Sequence, residues 1–176
     1  MVRIYQKAPE FTTQAYFQGK IQNLSLKDYK GKWVVLFFYP LDFTFVCPTE
    51  IQQFSERHDQ FKRLNCEILG GSVDSPYSHE AWSKASLGEQ KFPLISDLNH
   101  AISTAYGCYI EDKGVTLRST FIINPEGALH YIAHNPLDVG RSADEVLRLV
   151  QALQTGELCQ AGWTSGEKTL TQKLKK

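Results

Sequence analysis

Trp33-Val34-Val35-Leu36-Phe37-Phe38-Tyr39-Pro40-Leu41-Asp42-Phe43-Thr44-Phe45-Val46-Cys47-Pro48-Thr49-Glu50 is the stretch that decides the fold. Its first seven residues are an unbroken apolar run, rich in β-branched and aromatic side chains, as in a strand buried on both faces. Beyond Cys47, Ile51, Phe54, Phe61 and Leu64 recur at helical spacing to about residue 65. One cysteine therefore sits where a buried strand has ended and a helix begins. Pro48 marks that start, because proline is favoured at the first helical position, where its missing N–H is not needed. A sulfur there lies near the free N–H groups and positive dipole end of the helix, which favour thiolate over thiol. The sulfur is thus expected to be ionised and open to small molecules. The competing reading is a buried structural cysteine.

Working outward, residues 11–26 alternate around Gln18-Gly19-Lys20, which predicts a hairpin, and Asp28-Tyr29-Lys30-Gly31-Lys32 is a polar turn into the apolar strand. Residues 66–73 read as a second strand. Asp74-Ser75-Pro76 is turn chemistry, and Ser78 is the expected cap of a helix through Ala81, Trp82 and Ala85. Residues 94–97 predict a short strand, with Asn99 capping a helix through Tyr106. Residues 116–124 and 128–135 predict two strands about Asn124-Pro125-Glu126-Gly127, which has the proline and glycine placement of a type I turn. Val146, Leu147, Leu149, Val150 and Leu153 form the apolar face of a helix begun near Ser142. From Gly156 the chain reads as loop, with a lysine-rich, solvated end. Strands alternating with helices, then a hairpin and a last helix, predict an α/β fold with a mixed sheet. Cys47 falls beyond the carboxyl end of a central strand, where open α/β sheets keep their chemistry.

The chain has 176 residues, 42% hydrophobic and 22% charged, which suits a single domain with a sizeable core. Its formal net charge is zero, giving no general attraction to nucleic acid or anionic membrane. The first residues hold no apolar run fit for a signal peptide, and the run at 33–39 is too short to span a bilayer, so a cytoplasmic location is expected. The four cysteines are Cys47, Cys66, Cys108 and Cys159, with no C-x-x-C pair and no zinc-site spacing. In a reducing compartment they are expected as free, buried or catalytic thiols. Asp42 and Glu67 read as solvated charges, and Trp82 as core.

Three chemistries could use Cys47. A cysteine hydrolase needs a histidine base. Of His58, His79, His100, His130 and His134, only His58 can be placed, about three turns down the Cys47 helix and out of reach. A disulfide exchanger needs a second cysteine three positions on, where Glu50 stands. Attack on a peroxide O–O bond needs no base, only a low-pKa thiol and hydrogen bonds to the two oxygens. Thr44 offers a hydroxyl one turn before Cys47, Pro40 can shield the sulfur from water, and Arg118, at the head of an apolar strand, could supply fixed positive charge.

Residues 38–50 resemble the active-site segment of the typical 2-Cys peroxiredoxins, a group that includes the alkyl hydroperoxide reductase C subunit. The family pattern of proline, three residues, Thr or Ser, two residues and Cys falls on Pro40, Thr44 and Cys47. Further likeness lies at Ser72-Val73-Asp74-Ser75 with His79 and Trp82, at residues 92–97, at residues 117–123, and at residues 156–163 around Cys159. The resemblance runs from about residue 3 to about residue 170. It implies a thioredoxin-like fold, with a peroxidase domain over residues 1–160 and a C-terminal tail over 161–176. It implies that Cys47 is the peroxidatic cysteine, that Thr44 and Arg118 bind peroxide and hold the thiolate, that Pro40 shapes the pocket, and that Glu50 orients the arginine. Cys159 would be the resolving cysteine. The sequence itself permits a Cys47–Cys159 bond within or between chains; the resemblance implies a bond between the subunits of a homodimer, with dimers pairing sheet edge to sheet edge and five closing into a decameric ring. It implies no metal and no organic cofactor. The recycling partner would be thioredoxin or a flavoprotein disulfide reductase. A redox-regulated holdase chaperone or peroxide-signal relay is the alternative of a different class.

Two departures carry an expectation. Ala85-Ser86-Leu87-Gly88 stands where members sensitive to over-oxidation carry Gly-Gly-Leu-Gly, and no Tyr-Phe pair follows Trp163. Rapid resolution and resistance to sulfinic acid formation are therefore expected. Mass spectrometry during turnover under rising peroxide should find Cys47 sulfinic acid only at high concentrations; its accumulation at low peroxide would refute this.

Overall fold

The computed structural model describes residues 2–175. In chain order its elements are β1 (Thr12–Phe17), β2 (Lys20–Ser25), β3 (Trp33–Phe38), α1 (Cys47–Arg63), β4 (Cys66–Ser72), α2 (Pro76–Trp82), β5 (Leu94–Ser96), α3 (Ala101–Ala105), β6 (Tyr109–Ile110), β7 (Val115–Thr116), β8 (Arg118–Ile123), β9 (Leu129–Asn135), α4 (Ala143–Thr155) and α5 (Leu170–Leu174). Seven strands form one mixed sheet in the order β2-β1-β5-β4-β3-β8-β9. β3 pairs in parallel with β4 and antiparallel with β8, and β6 and β7 form a separate small ribbon. This is the mixed α/β sheet expected from the chain.

β3 explains why the sheet is covered on both faces. Val35 and Phe37, with Tyr39 beyond them, enter a core shared with Ile51, Phe54 and Phe61 of α1 and Val146, Leu147 and Val150 of α4. Val34, Leu36 and Phe38 enter a second core with Leu24, Ile102, Tyr106 and Phe121. The period-2 alternation of a strand sends successive side chains to opposite faces. An unbroken apolar run is what such a strand requires. The first hairpin also forms as expected, with Gln18 and Gly19 both at positive φ, the turn that matches strand twist. α4 lies along α1 in the same direction: Gln53 Oε1 accepts from the Ala143 N–H at 2.6 Å, Arg57 Nε donates to Asp144 at 2.6 Å, and Gln154 Nε2 donates to the Leu64 carbonyl at 2.6 Å.

Several local expectations change. Ser75, not Ser78, caps α2, accepting from the Ser78 N–H, with Pro76 opening the helix. A π-helical turn over Ser83–Leu87 follows α2. The start of α3 is held mainly by Asp97, whose carboxylate accepts from the Ile102 and Ser103 N–H groups, while Asn99 meets only Ala101. The strand expected over 116–124 is split at Leu117 into β7 and β8. The loop expected from Gly156 carries α5, capped by Thr169. Trp163 is buried there, with its carbonyl accepting from Arg148 Nη1 at 2.8 Å and its Nε1 donating to the Glu167 carbonyl at 3.0 Å. Among the described residues, no helix is long and apolar enough to cross a membrane.

Gly70 and Gly71 let β4 and β5 approach closely. A Cβ on Gly71 would lie 2.6 Å from Ile95 Cγ1 and 3.4 Å from its carbonyl oxygen. Gly71→Ala should therefore lower stability by about 1–3 kcal/mol, as overpacking does. Urea unfolding should show a lower midpoint at unchanged slope; an unmoved midpoint would mean that β5 gives way without strain.

Candidate active site

The strand ends where the chemistry begins. Beyond β3, the Tyr39 N–H still donates to the Gly71 carbonyl at 2.9 Å, and Thr116 Oγ1 donates to the Tyr39 carbonyl at 2.8 Å. Pro40 is buried at this end of the sheet. The chain then turns through residues 41–46, with Phe43 in the left-handed region at φ 53°. α1 opens at Cys47 with Pro48 in its first turn. No side chain caps this helix.

The antiparallel register of β3 and β8 pairs Phe38 with Ser119, which sets Arg118 just past the end of β3. Arg118 Nη1 donates to Cys47 Sγ at 3.3 Å and to Glu50 Oε2 at 2.6 Å, while its Nε donates to the Leu137 carbonyl at 2.8 Å. Glu50 shares a helix face with Cys47, three residues on. Its Oε1 accepts from Arg141 twice, from Nε at 2.8 Å and from the backbone N–H at 2.9 Å. Arg141 Nη1 and Nη2 donate to the Ser119 and Phe38 carbonyls, each at 2.7 Å, and the guanidinium stands 5.0 Å above the Phe37 ring. Burial lowers the Arg141 guanidinium from its ordinary value, against the hydrogen bonds and charge of Glu50 that hold it up. Gly140 approaches the first turn of α1, where a Cβ would lie 3.2 Å from Val46 Cγ1.

Cys47 and Glu50, one turn apart on α1, are thus brought together with Arg118 of β8. Nothing in the sequence singles out Arg141. A lone arginine one residue before a helix cap carries no motif, and only the ladder of β8 and β9 brings it to Glu50. Thr44 lies in the loop before α1, not within the helix, and its hydroxyl donates to the Leu41 carbonyl at 2.9 Å. Cys47 is 0% exposed. The expectation of an open sulfur is corrected: in this conformation Sγ is sealed by the apolar core on one side and Arg118 on the other. Among the described residues, Arg118 is the one side chain that hydrogen-bonds to that sulfur. Asp42 is also corrected: it is a buried carboxylate accepting from Tyr39 Oη at 2.9 Å and Ser78 Oγ at 2.8 Å and paired with His79 Nδ1 at 2.8 Å.

Cys159 is not brought to Cys47. It lies four residues past α4, its Sγ 3.4 Å from Thr155 Oγ1. Because α4 runs alongside α1 with Gln154 at Leu64, Cys159 belongs to the far end of α1. Seventeen helical residues separate the two ends, about 25 Å at the helical rise. Cys66 and Cys108 are core thiols, as expected; burial pushes both upward, Cys108 to about 12, so they stay protonated at neutral pH. A cavity of about 440 Å³ between Lys7, Tyr29, Val34 and Pro125 lies at the opposite end of β3 from Cys47.

The chain matches the model of the AhpC/TSA family over residues 4–132. It is 51% identical to peroxiredoxin prdx-2 of Caenorhabditis elegans, over 98% of this chain and 90% of that one. It is 51% identical to the chloroplastic 2-Cys peroxiredoxin BAS1 of Hordeum vulgare, over 93% and 83%. The crystal structure of the reduced 2-Cys peroxiredoxin of Plasmodium vivax superposes with a TM-score of 0.90 at 39% identity, over 94% of this chain and 91% of that one. The thioredoxin-like fold follows from that likeness. With a family match across most of its length, and relatives at half identity across nearly all of it, the chain belongs to the AhpC/TSA family and is a peroxiredoxin, a thiol-dependent peroxidase.

Proposed function

We propose that the Cys47 thiolate attacks the terminal oxygen of hydrogen peroxide or a small organic hydroperoxide. The S–O bond forms as the O–O bond breaks, leaving a sulfenic acid on Cys47 and an alkoxide or hydroxide that takes up a proton and departs as alcohol or water. The observation that carries this reading is the Arg118 guanidinium bridging Cys47 Sγ and Glu50. Two buried guanidiniums face one carboxylate at this site, so a negative sulfur balances the remaining positive charge. The Nη2 group of Arg118, with no protein hydrogen bond among the described residues, is left to donate to the oxygen on which charge develops. Thr44 has its hydrogen committed to Leu41, so its lone pairs are what it presents to a peroxide O–H. Pro40 walls the pocket. Access to the sealed sulfur comes through movement of residues 43–46.

Cys159 then attacks the sulfenic sulfur, forming a disulfide and releasing water. A disulfide requires Cα atoms within about 7 Å, far short of the length of α1, which supports a resolving thiol from a second copy of the chain. We place the enzyme in the cytoplasm as a homodimer assembling into a decameric ring, its disulfide reduced by thioredoxin or a flavoprotein reductase.

Cys47→Ser should abolish peroxide consumption. Cys159→Ser should consume one equivalent per chain and stop unless a small thiol is supplied. Oxidised wild type should run as a dimer on a non-reducing gel; a monomer with both thiols lost would overturn the intersubunit bond. Arg118→Gln should slow Cys47 oxidation about 100-fold or more in stopped flow, the usual loss for one developing-charge donor. An unchanged rate would remove Arg118 from the chemistry.

A further inference from the structure

The cavity at the opposite end of β3 from Cys47 has no part in the peroxide chemistry, and three segments far apart in sequence build it. A 3-10 turn over Leu26–Tyr29 forms one wall, the residues before β1 a second, and the β8–β9 turn a third. Backbone bonds stitch these walls together. The Ala8 N–H donates to the Gly127 carbonyl at 2.9 Å, the Gly31 N–H to the Pro125 carbonyl at 3.1 Å, and the Leu26 N–H to the Phe11 carbonyl at 3.1 Å. The cavity is therefore preformed, as small-molecule sites usually are. The six residues of β3, about 20 Å at the strand rise, separate it from the end of the strand that leads to Cys47.

Its floor is apolar: Leu26, Val34 and Ile123 are buried members of the second core. Tyr29 adds a phenol with no protein hydrogen bond among the described residues. Burial, with the nearby charges of Glu67 and Asp28, pushes that phenol up to about 12, so it keeps its proton and can donate. The mouth carries four lysines and two glutamates, Glu10 and Glu126. Lys32 is paired at 2.7 Å with Glu67, which Lys62 also meets, and Lys7 Nζ donates to the Glu126 carbonyl. Lys27 and Lys30 are exposed and have no ion pair among the described residues. With Lys32 paired, three lysines stand against two glutamates. That small positive excess suits one negative charge better than the two of a phosphate, and it turns away the chain's own lysine-rich end. At about 30 Å³ for a group the size of water, 440 Å³ holds roughly a dozen heavy atoms, the size of decanoate.

We propose that this cavity binds a medium-chain fatty acid, its carboxylate held by Lys27, Lys30 and the Tyr29 phenol and its chain laid over Leu26, Val34 and Ile123. Such binding needs no peroxide chemistry and stands apart from the peroxidase reading.

The test is equilibrium dialysis of the reduced full-length protein against hexanoate, octanoate and decanoate. One molecule should bind per chain, and each added CH2 should tighten binding about fourfold until the cavity is full. Decanol, with the same chain and no charge, should bind about tenfold or more weakly than decanoate, and inorganic phosphate should not displace decanoate. Tyr29→Phe should weaken decanoate about tenfold, the worth of a hydrogen bond to a charged group. Lys27→Gln combined with Lys30→Gln should weaken it about fivefold, as two exposed charge pairs would; these surface changes spare the fold and still decide the matter if Tyr29→Phe folds poorly. Decanoic acid bearing a tail diazirine should crosslink, on irradiation, to residues 26–34 and 123–127, located by mass spectrometry. No saturable decanoate binding below about 1 mM would overturn the proposal. So would decanol bound as tightly as decanoate, displacement by phosphate, affinity unmoved in both the tyrosine and the lysine variants, or crosslinks gathered on the exposed Phe43 and Phe45 instead. A protein that binds decanoate in this way yet is inert to peroxide would defeat the functional reading alone.

Discussion

Glu50 between Arg118 and Arg141 is the constraint on which the rest of the site depends. A carboxylate this buried is stable only with its oxygens satisfied, and removing one partner of such a buried set leaves an uncompensated charge costing about 3–5 kcal/mol. The requirement runs both ways. Arg118 is aimed at Cys47 because Glu50 holds the same Nη1, and Arg141 is fixed because the Phe38 and Ser119 carbonyls accept its remaining donors. Those two carbonyls sit where β3 and β8 stop pairing. The unmet acceptors of a sheet end thus become the seat of a guanidinium, and the seat fixes the geometry around one sulfur.

The same economy organises the scaffold. β3 fills two cores with alternate side chains, ends at the site, and hands the chain to α1 through a loop of eight residues. α4 packs along α1 and Arg148 of α4 holds the carbonyl of Trp163, so the segment bearing Cys159 is located by the same helix pair that locates Cys47, at the other end.

Much of this was legible in the chain because it is local. A seven-residue apolar run, a proline after a cysteine, and helical spacing from Ile51 to Leu64 each describe one element, and each element formed. Cys47 and Arg118 could be named because they stand at the starts of readable elements, whereas the role of Glu50 came only with the family resemblance. Arg141 could not, since its role exists only through a sheet register between residues far apart in sequence. Asp42 misled for the same reason: a lone acid in a loop reads as solvated until α2 sets Ser78 and His79 over it. The caps at Ser75 and Asp97 were missed by a few residues because Ser78 and Asn99 are equally good capping types, and tertiary packing chose between them. The sulfur's burial was hidden because exposure belongs to the whole fold, not to a motif.

The segment around Cys159 is moored at two points. Thr155 contacts the sulfur from the last turn of α4, and towards α5 the Leu158 N–H meets Thr171 Oγ1 while Glu157 accepts from Thr169 and Gln172. A thiol so placed can travel only as far as its tether is slackened. Water can replace each of these hydrogen bonds at a net cost of about 1 kcal/mol, so the moorings yield one bond at a time. In the resolving step proposed above, Thr169, Thr171 and Gln172 would therefore act as an adjustable leash that sets how far the Cys159 sulfur can reach.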